Sequence, residues 1–158
     1  MGVTFDQWLP WSVHVVSLVA SASRPLFALR TLRPHFSDND LKTIYFSSIR
    51  SIFEYCSPVF LALSKTDSHR IERIQDRVHR MLCGRGCQKQ CFPTLASRRR
   101  MCALEVLDKI MKPHHLLNNI LPPMSRSVRC LLPKRHFVRR SNSFILKACK
   151  MYNESFKR

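Results

Sequence analysis

Apolar residues at helical spacing, cut again and again by proline or paired glycine, constrain this chain most. Leu41, Ile44, Tyr45, Ile49, Ile52, Phe53 and Cys56 recur at three- and four-residue steps, which puts them on one helix face. Ahead of them "SDND" offers Ser37 or Asp38 as a cap with acids in the first turn, and Pro58 ends the run. The same spacing returns in Ile71, Ile74, Val78, Met81 and Leu82, predicting a helix from Asp67 to about Cys83 that Gly84 and Gly86 stop. A further helix over 95–111 turns Cys102, Ala103, Val106, Leu107 and Ile110 inward, and Pro113 ends it. Residues 12–33 are helical in composition, with Pro10 at the start, Pro25 forcing a break or a second start, and Pro34 as the end. Residues 144–156 suit a short last helix. "GVTFD" at 2–6 looks like the end of a strand, and the Pro-, Ser- and Arg-rich stretch 121–143 reads as loop. No internal repeat is present. With only 3 Gly in 158 residues, tight turns are few. The expected fold is mainly α: a small helical bundle with a short N-terminal strand remnant and a basic, partly irregular C-terminal segment.

Charge narrows the partners. The formal net charge is +17. A chain this basic repels itself unless it meets a polyanion; nucleic acid is the first expectation and an anionic membrane surface the second. Residues 1–66 carry six Lys/Arg against four Asp/Glu, whereas residues 67–158 carry twenty-one against six. No acid lies between Asp108 and Glu154. The opening "MGVTFDQW" lacks a basic and then apolar leader, and Asp6 occupies the place where myristoylation needs Ser or Thr. The most apolar stretch, 13–29, contains Arg24 and Pro25, which argues against a membrane span. The 7 cysteines are therefore expected to be free thiols of an intracellular protein, in nucleus or cytoplasm and not secreted.

Arg70, Arg73, Arg77 and Arg80 carry the best chemical signal. At helical spacing they form one cationic edge beside the apolar stripe, and guanidinium forks suit phosphate. The alternative is a solvated face, or pairing with acids elsewhere. Arg98 and Arg99, with Arg100, are less specific, because consecutive residues spread around a helix. Lys134, Arg135, Arg139 and Arg140 surround His136 and Phe137, a mixture that suits backbone contact with stacking, though a flexible tail has the same look. His79, Cys83, Cys87 and Cys91 are spaced by four and are all zinc-ligand types, but structural zinc sites pair their ligands differently, so no metal is expected. Asp38 and Asp40 are more simply capping residues. No cluster of convergent acids or glycine-rich phosphate loop is present, so neither a catalytic centre nor a cofactor is expected.

Five segments, in order, resemble the region that follows the catalytic core in non-LTR retrotransposon reverse transcriptases, of LINE-like elements of the jockey or CR1 type. "GVTFD…LPWSVHV" is similar to a strand leading to a Trp-Ser…His helix, and "LKTIYFSSIRSIFEYCSPVF" to a Tyr-Cys-Ser-Pro-Val segment. "RIERIQDRVHRMLCG" is similar to a Glu-Arg-x-Gln helix, "PTLASRRRMCALEVLDKI" to a Leu-x-x-Arg-Arg stretch, and "NSFILKACKMYN" to a closing helix. Met1, Phe60 and Tyr152 depart from the family's Leu, Trp and Trp. The family's Ala-Asp-Asp motif lies upstream of the matched region, and this chain has no Asp-Asp pair.

The resemblance implies three parts: residues 1–10 as the end of the polymerase palm, 11–112 as a helical thumb-like region, and 113–158 as a basic connector or tail. It implies a fragment of an RNA-directed DNA polymerase without fingers or palm, not itself an enzyme. Such a fragment would hold RNA or an RNA–DNA template–primer duplex by its phosphates. A stand-alone nucleic-acid-binding module derived from such an element, or a non-functional relic frame, are the alternatives. On this reading Glu54, Tyr55 and Cys56 form a helix end and packing elbow, with Tyr55 and Cys56 buried and the Tyr55 hydroxyl partnered.

Overall fold

The structure, a computed structural model, describes residues 11–83, 92–125, 129–132 and 143–155. It is mainly helical: α1 (Ser12–Leu32), α2 (Asp38–Ile44), a π-helical turn (Tyr45–Arg50), α3 (Ser51–Glu54), α4 (Lys65–Cys83), α5 (Leu95–Ile110), a 3-10 turn (Asn118–Ile120) and α6 (Phe144–Ser155). Among the described residues the one pairing of extended chain is an antiparallel bridge between Met124 and Cys130. The strand expected at 2–6, Pro10, and the Gly84 and Gly86 stop lie outside the described residues.

Two compact units form: residues 1–56 with 63–98, and residues 57–62 with 99–158. The division falls within α5, between Arg98 and Arg99.

In the first unit, α1 packs on α4 and on the helical stretch 38–54. Pro25 does not break α1, contrary to the sequence expectation. The reason is one of magnitude. A proline inside a helix costs about 3 kcal/mol. Val15, Leu18, Ala22 and Leu29 form a single buried stripe across it, and each large side chain among them contributes about 1.5–3 kcal/mol by burial. Breaking the helix would take Leu29 out of that stripe. By length and composition α1 is also the one helix among the described residues suited to cross a bilayer.

The helix starts follow local chemistry. Ser37 Oγ accepts from the Asp40 amide at 3.3 Å and donates to its carboxylate at 2.6 Å, as a cap should. Ser64 repeats the device on Asp67, at 3.0 and 2.8 Å. Glu72 accepts from the amides of Leu95 and Ala96 at 3.2 and 2.7 Å, so a side chain of α4 caps α5.

Between α2 and α3 the helix widens to a π turn. An i, i+5 pair then shares a face, so Tyr45, Ile49 and Arg50 are all buried. The Tyr45 hydroxyl donates to Gln75 Oε1 at 2.8 Å, and Gln75 Nε2 donates to the Pro93 carbonyl at 3.1 Å. This buried relay joins three segments and leaves none of those polar atoms unsatisfied. Burial pushes the Tyr45 phenol well above its ordinary range. The rings of Tyr45, Phe46 and Phe92 cluster beside it, with centroids 5.3–5.4 Å apart.

The elbow after α3 differs from expectation. Tyr55 is 45% exposed, not buried, and Cys56 is half-buried in the left-handed region at φ 52°. The helix stops at Glu54, and the extended ψ of Tyr55 (123°) takes the following chain out of the helical path.

The second unit has a smaller core. Leu107, Cys130, Ala148 and Cys149 form its centre, with Leu61, Met111, Phe144 and Tyr152 packed around them. Asn153 holds both backbone groups of Cys130: its Oδ1 accepts the amide at 2.9 Å and its Nδ2 donates to the carbonyl at 2.8 Å. Asn118 Nδ2 donates to the carbonyls of Ile110 and Met111 at 3.1 Å each, closing the C-terminal end of α5.

Candidate nucleic-acid interface

The four arginines of α4 do lie along one exposed edge: Arg70, Arg73, Arg77 and Arg80 are all exposed, while Ile71, Ile74, Val78 and Leu82 face inward. α1 runs alongside in the same direction. Ser12 Oγ, in its first turn, donates to Asp67 Oδ2 in the first turn of α4 at 2.9 Å. Residues late in α1 meet residues late in α4 in turn.

Two clefts that share Arg77 lie between these helices. The smaller, of about 290 Å³, is lined by Val16, Val19, Arg70, Arg73, Ile74 and Arg77. The larger, of about 1000 Å³, is lined by Ser23, Leu26, Phe27, Arg30, Arg33, Arg77, Arg80 and Met81. Each is lined by apolar side chains together with guanidinium groups. Arg30, Arg33, Arg73 and Arg77 form no ion pair with any described residue.

The nearby acids explain this. α1 contains no Asp or Glu. Asp67 is buried and accepts from Ser12, Ser64 and Arg70, the last at 3.2 Å. Arg70 is therefore the one member of the row that is partly neutralised. Glu72 is occupied at the start of α5. Asp76 is exposed, and Arg80 Nε donates to its backbone carbonyl at 3.3 Å. What remains is a row of exposed arginines beside apolar cleft-lining side chains, a combination that suits phosphate oxygens.

Arg98 and Arg99, the less specific candidates of the sequence, have other surroundings. Arg98 is hydrogen-bonded to both carboxylate oxygens of Glu54, and Arg50 Nε donates to the same carboxylate at 2.6 Å. Burial alone would raise the Glu54 pKa, but the hydrogen bonds from Arg98 and Arg50 outweigh it and hold the carboxyl below its ordinary range. The Arg50 guanidinium also lies 5.0 Å from the Phe46 ring centroid. Arg99 is only 5% exposed, which withdraws it from any phosphate. Consecutive arginines thus point in different directions, as a helix requires.

Lys134, Arg135, Arg139 and Arg140 lie outside the described residues, as do Cys87 and Cys91. His79 and Cys83 sit one turn apart and half-buried on α4. No group of three or more His, Cys, Asp or Glu able to hold a metal occurs among the described residues. In the second unit, burial and the neighbouring Cys130 push the Cys149 thiol up to about 12, so it stays protonated at neutral pH.

Sequence reasoning missed Arg30, Arg33 and Phe27. Their signal was legible: they follow one another at three-residue steps in an acid-free segment. The expected break at Pro25 separated them from the rest of α1 and hid the shared face.

No family model, no curated protein and no solved structure matches this chain.

Proposed function

We propose that this chain binds nucleic acid through its phosphates, as the thumb-like, non-catalytic segment of a non-LTR retrotransposon RNA-directed DNA polymerase. The observation that carries the proposal is the arginine row on the exposed edge of α4, with Arg73 and Arg77 unpaired by any described acid and Arg30 and Arg33 across the cleft. The net charge of +17 and the five-segment resemblance support it. Phosphate contacts position a duplex without reading sequence, so the expected ligand is RNA or an RNA–DNA duplex of any sequence. On this reading the chain works inside the cell, in nucleus or cytoplasm, and performs no chemistry of its own.

The test is salt-dependent binding of an RNA–DNA duplex by the full chain and by a variant with Arg70, Arg73, Arg77 and Arg80 all changed to Glu. The wild type should bind with a linear log–log salt dependence. The variant should lose affinity and a slope of about 0.9 for each phosphate contact removed. Equal affinity and equal slope in the two proteins would refute the assignment.

A second reading, a stand-alone nucleic-acid-binding module, is favoured by the closed core and buried Tyr45–Gln75 relay within the first unit. It predicts a cooperative thermal melt of the isolated chain. A gradual melt with exposed apolar surface would count against it.

A further inference from the structure

The larger cleft holds a feature that phosphate binding alone does not use. Phe27 lies in it and is 73% exposed, more than the exposed Val13 and Val16, while Val15, Leu18, Ala22 and Leu29 of the same helix are buried. An uncovered phenylalanine forgoes about 1.5–3 kcal/mol of burial. Four arginines line the same cleft: Arg30 on α1, Arg33 just past its end, and Arg77 and Arg80 on α4. The three-residue spacing from Phe27 to Arg30 puts the ring and that cation on one helix face.

A ligand that matches this arrangement presents a flat apolar face between anionic groups. A duplex does not, because its base faces are stacked on each other and only its edges and backbone reach the surface. An unpaired nucleotide does: its base offers a π-face and its two flanking phosphates offer the charge. We propose that the Phe27 cleft holds a single-stranded stretch of nucleic acid, one base stacked on the Phe27 ring and the adjoining phosphates gripped by Arg30 and Arg33 on one side and Arg77 and Arg80 on the other. This rests on the phosphate-binding reading above and names the form of nucleic acid that this end of the α4 row takes. An acidic amphipathic helix is the rival occupant. It would answer the arginines but would cover the ring with aliphatic side chains, so stacking ability at position 27 would not matter to it.

The experiment compares a short all-pyrimidine RNA single strand with an RNA–DNA duplex, using the full chain and the variants Phe27→Ala, Phe27→Trp and Phe27→Leu. The exposure of Phe27 makes these substitutions mild for folding, which a thermal melt of each variant verifies. Phe27→Ala should weaken single-strand binding by about 5- to 150-fold, the worth of one stacked base. Phe27→Trp should retain it, Phe27→Leu should not, and duplex affinity should change less than about twofold. Unchanged single-strand binding by Phe27→Ala, or an equal loss on strand and duplex, would overturn the inference and leave the phosphate reading standing. Tighter binding of an acidic amphipathic peptide than of the strand, preserved by Phe27→Leu, would also overturn it. If the wild type bound neither probe in a salt-dependent way, the phosphate reading would fail together with the inference.

Discussion

Arg50 and Arg98 converge on the single carboxylate of Glu54, whereas Arg30, Arg33, Arg73 and Arg77 face clefts in which no described acid pairs with them. Both regions belong to the first unit, and both place arginine beside apolar side chains. The difference lies in the acids. Glu54 ends α3 and is half-buried, and its carboxylate pairs with both Arg50 and Arg98. Asp67 and Glu72 are held by helix starts, and the Asp76 carboxylate, exposed on α4 itself, forms no ion pair with any described residue. One region uses arginine to hold the fold together and the other leaves it available for an outside anion. Arginine spacing alone does not separate the two roles; the location of the carboxylates does.

The largest expected effect separates the two regions directly. Changing Arg73 and Arg77 to Glu should lower nucleic-acid affinity on the order of 100-fold at low salt. The same change should move unfolding free energy by less than about 0.5 kcal/mol, since both side chains are exposed and unpaired. Anisotropy titrations and denaturant unfolding check the two halves of this statement.

Glu54→Gln should do the reverse. It leaves Arg50 buried beside a neutral amide, at a cost of about 2 kcal/mol in unfolding free energy, with duplex affinity nearly unchanged. The pH dependence has a definite sign. The folded pKa of Glu54 lies below its ordinary 4.5, so its stabilisation is fully present above pH 4.5 and is lost as pH falls through the lower folded value. Denaturant midpoints measured across that acidic window should flatten in Glu54→Gln.

Asn153→Ala should cost about 1.5 kcal/mol, because it frees the two backbone groups of Cys130 that Asn153 now satisfies. It should leave the salt slope of nucleic-acid binding intact, because it removes no cationic group. Tyr55→Ala should cost less than about 0.5 kcal/mol, since its ring is exposed. A large loss there would restore the packing elbow that the sequence suggested and make Tyr55, not Glu54, the anchor of that corner.

Much of the fold was legible because its signals are local. The Ser37 cap, the α4 stripe and the α5 inward face follow from spacing within a few turns. The misreadings came where a distant partner decides. Pro25 carries a local cost that the Val15–Leu29 stripe outweighs only through packing on α4. The π turn at Tyr45–Arg50 is tied to burial of Arg50 beside Phe46 and Glu54, which spacing does not reveal. Half of the candidate interface was visible as the α4 row, because four arginines on one helix share an edge by geometry. Its second wall, Arg30 and Arg33, depended on α1 remaining whole. The exclusion of Arg98 depended on Glu54, forty-four residues away.

The central claim is that the cleft arginines, not the overall charge, hold nucleic acid. A charge-matched pair of variants tests it most directly. Arg73→Glu with Arg77→Glu is compared with Lys109→Glu and Lys112→Glu, exposed lysines at and just beyond the end of α5, for the salt dependence of RNA–DNA duplex binding. The two variants have the same net charge. The cleft variant should lose a slope of about 1.8, two phosphate contacts, while the lysine variant keeps the wild-type slope. Equal losses of slope and affinity in both would contradict the account, and would mean that the chain meets polyanions through its total charge alone.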